Sequence, residues 1–287
     1  MSKVYVVCTA KPSDGLFHYS YEYTYALNEM GIDATCLYLP NPNFTVQDYI
    51  MAVKKKYRYY GDIGFIPDVE VNPSDITLVM GRSMITIPYL RRTEYSSEVL
   101  FVLNQLFTNV ISVYSENHTE EQYQEACKFF NVKKHLDICD LEVYNNGTGL
   151  HFEKRINFDI YKKVFHKPIC EHLFLGTNPR YYRVSSEKID GYDNSSILVY
   201  KNQKNLLSDI SHIYAPVDNL CGLFKTYVYT KDTFDPAPRL VQECKYYNKN
   251  MIYDRDETMV DGGSVYWKRD LQDPDCSAIL ECIEELS

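Results

Sequence analysis

The stretch "TYVYTKDTFDPAPRLVQECKYYNKNMIY", residues 226–253, sets Asp235, Arg239 and Glu243 close together between two runs that read as strands. Asp235 stands where a helix N-cap belongs, and Pro236 and Pro238 suit the entry to a helix, where a missing N–H costs little. Lys231, Asp232 and Thr233 make up the loop that leads there. From Asp235, Glu243 lies about 80° round the helix and about 12 Å further along, so the two carboxylates do not touch. Such a pair brackets an elongated ligand lying across the helix start. There the free N–H groups and the helix dipole favour phosphate, and Arg239 adds a fork for phosphate oxygens. The plainer use of the same residues is an ion pair between Arg239 and Asp235 at four-residue spacing, with Glu243 on a solvated face.

The elements that must position these groups alternate. "KVYVVCTA" reads as a strand, "LFHYSYEYTYALNEMG" as a helix closed by Gly31, and "DATCLYL" as a second strand. "TVQDYIMAVKKKYRYY" reads as a helix, "DITLVM" as a strand, "SSEVLFVLNQLF" as a helix and "VISVY" as a strand. "TEEQYQEACKFF" follows as a helix capped by Thr119, then "KHLDIC" as a strand. Residues 141–168 are polar and irregular, and form the natural crossing into a second unit. Beyond them "CEHLFLG", "SSILVYK", "HIYAP", "TYVYT" and "NMIY" read as strands. "KNLLSDI", "VDNLCGLF", "PRLVQECKYY" and "CSAILECIEEL" read as helices. This order predicts an α/β chain of two Rossmann-like domains facing a central cleft. An amino-terminal one covers 1–165 and a carboxyl-terminal one 166–287, with the last helix free to pack back on the first.

Composition narrows the classes. The 287-residue chain is 45% hydrophobic and 24% charged, which describes a globular protein. Its net charge of −9 argues against a bulk nucleic-acid module. No apolar run approaches the roughly 20 residues of a membrane span, and the start reads directly as a strand, so a cytoplasmic location is expected. Nine cysteines without a C-x-x-C pair point to reduced, buried thiols. His166, Cys170 and His172 are the nearest approach to a metal cluster and lack a fourth partner, so no metal is expected. The 27 tyrosines could hydrogen bond at the rim of a polar cleft, although skewed base composition would also produce them.

Asp235, seven residues, then Glu243, followed by "CKYYNKNMIY", resembles the E-x7-E element of glycosyltransferases with the GT-B fold. "VYVVCTAKPSDGLFHYSYEYTYALNEMGIDATCLYL" is similar to the first β-α-β of that fold. More narrowly, "DTFDPAPRLVQEC" resembles small glycosyltransferases encoded by tailed bacteriophages. The resemblance implies transfer of a sugar from a nucleotide sugar, such as a UDP-sugar, to a hydroxyl acceptor, with no metal or other cofactor. Glu243 would then hold the ribose and Asp235 would approach the donor sugar. Asp replaces the family's first Glu, and Pro-Ala-Pro stands where a glycine is usual.

The same resemblance extends to the donor phosphates. Gly15 would let the donor come close, His18 would face the cleft, and Thr233, Pro238 and Arg239 would border the donor. Lys201 and Lys204 would supply a cation for the diphosphate, with Arg180 and Arg183 as another source. Inverting transfer needs a general base, for which Glu116 beside His118 is the best-placed carboxylate and Asp14 the next; the E-x7-E element leans towards retention. Phage kinship would make hydroxymethylated DNA the acceptor. "KKKYRYY" interleaves Lys55, Lys56 and Arg58 with aromatics as a nucleic-acid contact does, and equally as the solvated end of a helix does. A surface polysaccharide is another acceptor class. The competing class is a noncatalytic nucleotide-sugar-binding or interaction protein on the same fold.

Overall fold

A computed structural model describes residues 2–12, 14–39, 43–58, 61–66, 68–81, 83–90, 95–114, 126, 128–137, 197–199, 226–229, 239–253 and 276–287. Strand β1 (Val4–Cys8) leads into helix α1 (Gly15–Glu29), then β2 (Ala34–Tyr38), α2 (Val46–Lys56), β3 (Ile63–Phe65) and β4 (Ile76–Met80). Helices α3 (Ser83–Leu90) and α4 (Ser97–Leu106) precede β5 (Val110–Tyr114) and β6 (Val132–Asp137). Further on come β7 (Ile197–Val199), β8 (Thr226–Tyr229), α5 (Arg239–Tyr246), β9 (Asn250–Tyr253) and α6 (Ser277–Leu286).

Strands β3-β2-β1-β4-β5-β6 form one sheet in that order, and every pair is parallel. β7-β8-β9 form a second parallel sheet. A parallel sheet needs both faces covered, which is why β1 and β4 are apolar at all but Thr77 and buried at every position. Tyr5, Val7 and Val79 look towards α3 and α4, where Met84, Ile87, Leu103 and Leu106 close one core. Val4, Val6, Leu78 and Met80 look the other way, onto Tyr19, Tyr23 and Leu27 of α1 and Ile279, Cys282 and Ile283 of α6. The chain is thus mixed α/β with a Rossmann-like six-stranded sheet. Its last helix lies on that sheet beside β6, where Lys134 and Glu285 form an ion pair.

Helix ends follow their local chemistry. Asp14 caps α1 by accepting from the Leu16 amide at 3.0 Å. Thr45 and Asp48 form a reciprocal capping box at the start of α2. At the far end of α1, Gly31 adopts φ +86°, and the amides of Gly31 and Ile32 turn back to the carbonyls of Asn28 and Leu27 at 3.0 Å each. Asn28 then exchanges two hydrogen bonds with the backbone of Ala34, at 2.8 and 2.9 Å, and fixes where β2 begins.

Two elements were not anticipated. β3 has three residues, too short to show alternation, and "SMITIPYL" of α3 is apolar almost all round, so it carries no helical period. Of the helix expected at 119–130, residues 126, 128 and 129 are described and helical. The irregular segment at 141–168 and the elements expected at "CEHLFLG", "KNLLSDI", "HIYAP" and "VDNLCGLF" lie outside the described residues.

Candidate functional site

Residues 17–24 of α1 are buried on every side. The sheet covers one flank through Tyr19 and Tyr23, while Phe17 and Tyr21 pack into a third core with Tyr49 and Val53 from α2 and Tyr57 just past its end. Val241, Cys244 and Tyr247 join that core from α5 and its end, and Tyr227 joins it from β8. Docking this apolar face of α5 brings Arg239 and Glu243 into the same seam. Glu22 arrives there from α1 and Lys56 from the last turn of α2.

The four charged side chains form one network. Lys56 Nζ donates to Glu243 Oε1 at 2.7 Å, and Arg239 Nε donates to the same oxygen at 2.8 Å. Arg239 Nη2 donates to Glu22 Oε1. That oxygen also accepts the Tyr57 hydroxyl proton at 2.9 Å. His18 Nδ1 stands 3.0 Å from the Tyr57 oxygen. Since the single phenolic proton goes to Glu22, His18 must supply the proton of that contact, as the Nδ1–H tautomer when neutral. The Arg239 guanidinium lies over the Tyr19 ring, 4.9 Å from its centre, and Gln242 Nε2 donates to the Tyr19 hydroxyl at 3.0 Å.

None of these charges reaches water freely: side-chain exposures are 0% for Glu22, 4% for Lys56, 6% for Arg239 and 4% for Glu243. Two cations face two carboxylates, so the seam is neutral overall. Burial alone would raise the Glu243 pKa, but Lys56 and Arg239 outweigh it and hold it below the ordinary carboxylate value. Burial lowers Lys56, with Arg239 adding to the effect and Glu243 and Glu22 opposing it. Burial also drives His18 well below 6.5, helped by Lys56 and Arg239, and lifts Tyr57 well above 10. The imidazole is therefore neutral at pH 7.

The structure gathers His18, Lys56, Arg239 and Glu243 into one place, though not as expected. Glu243 and Arg239 were expected to face an open cleft, and His18 with them; instead Glu243 and Arg239 are buried against α1 and α2, and His18 is buried on α1 against Tyr57. The reason is the apolar face of α5, which cannot be covered by those helices without taking its polar neighbours along. Lys56, expected to point towards an acceptor, turns inward to Glu243, while Lys55 and Arg58 remain exposed. Gly15 lies beside Arg239: a Cβ placed on it would sit 3.7 Å from Arg239 Cβ, an ordinary contact, so no glycine is demanded there. Glu116, Lys201, Lys204, Thr233, Asp235 and Pro238 lie outside the described residues, as do Arg180, Arg183, His118, His166, Cys170 and His172.

The sequence reading missed Glu22, Tyr57, Gln242 and Tyr19. Glu22 did carry a signal, since a lone carboxylate among "YSYEYTY" must meet a cation if the tyrosines are core. They are core: Tyr21, Tyr23, Tyr38, Tyr49, Tyr57 and Tyr227 are among the largest fully buried side chains.

The carboxyl edge of the six-stranded sheet meets this seam. β1 and β4 are neighbours whose continuations run to opposite sides, to β2 and to β5, which is where ligands of open α/β sheets bind. There the Thr9 amide donates to Ser83 Oγ at 3.0 Å, and the start of α1 adjoins the start of α5 through Gly15 and Arg239. Among the described residues no three His, Cys, Asp or Glu side chains could hold a metal ion. Among them, too, no helix is long and apolar enough to cross a membrane. Cys8, Cys36, Cys244, Cys276 and Cys282 are buried free thiols, and burial pushes the Cys8 pKa up to about 12. Compared with protein families and with curated proteins, the chain matches none.

Proposed function

We propose that this chain is a glycosyltransferase of the GT-B type, moving a sugar from a nucleotide-sugar donor, a UDP-sugar by preference, to a hydroxyl acceptor. The observation that supports this reading is the meeting of two helix starts at Gly15 and Arg239, each reached from a strand of a parallel sheet. Converging helix N-termini present N–H groups and positive dipole ends to a diphosphate, the leaving group whose charge such a reaction must stabilise. Lys201, Lys204 and Thr233 would complete the donor site, and Glu116 would serve an inverting reaction as base. Hydroxymethylated DNA is the acceptor this reading favours, with Lys55 at the end of α2 and Arg58 just past it, both exposed, as its proposed phosphate contacts.

Incubating the full chain with a panel of nucleotide sugars, read by mass spectrometry, tests the reading. A transferase slowly hydrolyses at least one donor and transfers its sugar to hydroxymethylcytosine or hydroxymethyluracil DNA, leaving unmodified DNA untouched. A panel in which no donor is consumed and none raises the melting temperature rejects it. A second reading, a noncatalytic binding or interaction protein, draws on the internal pairing of Arg239 with Glu22 and of Glu243 with Lys56. Those pairs occupy two side chains that a transferase would turn towards its donor. Donor binding with neither transfer nor hydrolysis selects this alternative.

A further inference from the structure

We propose that the seam of His18, Glu22, Lys56, Tyr57, Arg239 and Glu243 is an acid-sensitive latch: it fastens α5 to α1 and α2, and it releases α5 before the six-stranded sheet unfolds. The proposal holds whether or not the chain transfers sugar.

Its basis is the charge balance of a closed space. Two carboxylates and two cations already cancel, each of the three helices supplies at least one of the charges, and His18 enters as a neutral donor to the Tyr57 oxygen. Tyr57, just past the end of α2, meets the imidazole, and Lys56 of α2 and Arg239 of α5 act on it as charges; Glu22 on its own helix and Glu243 on α5 join it through their bonds to Tyr57, Lys56 and Arg239. Protonating His18 adds a third cation to a seam that holds two anions, both already bonded to cations. Protonating Glu243 leaves Lys56 and Arg239 short of a counterion. Both changes act in the same direction, against closure. The closed state excludes the His18 proton, whereas an opened seam accepts it at the ordinary imidazole pKa of about 6.5. Opening therefore takes up protons and is promoted as pH falls below that value.

The sheet has no such weakness, because β1 and β4 present apolar side chains at nearly every position. α5, by contrast, is eight residues long and joined to α1 and α2 through this seam and one side of the third core. Local opening in proteins is drawn from segments of this kind.

Hydrogen exchange of the full chain, followed by mass spectrometry from pH 7.5 to 4.5 and corrected for intrinsic exchange, tests the latch. Amides of residues 240–247 should lose protection at a midpoint a pH unit or more above that of β1 and β4. His18→Asn keeps a neutral donor for Tyr57 and cannot take up a proton, so it should move the α5 midpoint down towards that of the sheet. A shared midpoint in the wild-type chain overturns the proposal, as does an unchanged α5 midpoint in H18N. If H18N does not fold, the imidazole resonance of His18 in the wild-type chain decides. Titration together with α5 opening supports the latch, and titration with α5 still protected overturns it.

Discussion

Lys55 and Lys56 are neighbours in a basic run, yet one is solvated and the other lies 4% exposed on Glu243. Truncating one partner of a buried pair leaves the other charge uncompensated. Lys56→Met should therefore cost about 3–5 kcal/mol in urea unfolding, while Lys55→Met should stay within about 0.5 kcal/mol. Equal effects would show that the seam is not closed to water. The Glu243 carboxyl has a folded pKa below its unfolded value of about 4.3. Its contribution is fully present above the unfolded value and is lost as pH falls through the lowered one. Glu243→Gln should accordingly lower stability at pH 7 and flatten its decline below about pH 4.3; an acid limb of unchanged slope would place the titrating group elsewhere.

At the scale of elements, the clearest local signals were the helix boundaries. Gly31 ends α1 in a left-handed conformation, at φ +86°, that a side chain strains. Gly31→Ala should cost about 1–2 kcal/mol and lower the melting temperature. Gly15→Ala, at a position where a Cβ meets only an ordinary contact, should not. If both variants melt with the wild type, the Gly31 turn is not holding the end of α1. The strands β1, β2, β4 and β5 were legible as largely apolar runs and β6 only in part, from "KHLDIC", while α1, α2 and α4 were legible as long segments with caps. β3 and α3 were not, the first for brevity and the second because an all-apolar helix has no polar face to set its period. The candidate site was legible in part. Arg239 and Glu243 stand four apart on one helix, which local spacing reveals, but their partners Glu22 and Lys56 lie 217 and 187 positions away in the chain. No periodicity reports such a meeting. Only the burial demanded by the tyrosines of α1 hinted that Glu22 needed a cation.

At the scale of the whole molecule, α6 is part of the amino-terminal sheet's core, since Ile279, Cys282 and Ile283 pack with Val4, Leu78 and Leu136. Ile279→Ala should cost about 2–5 kcal/mol, and chemical denaturation should show β1 and α6 unfolding together. Glu285→Ala, at the exposed pair with Lys134, should change stability by no more than about 0.5 kcal/mol. Loss of α6 from the sheet without loss of β1 would mean that the helix is an accessory rather than a wall. The 151 positions between Lys134 and Glu285 also set a schedule for synthesis. At roughly 5–20 residues per second, the ribosome needs on the order of ten seconds or more after delivering β6 before it delivers the helix that covers the sheet. Throughout that interval α1 can already lie on its own part of that face, but the part beside β6 waits for its wall, so maturation in a cell depends on what shields that part until residues 277–286 emerge.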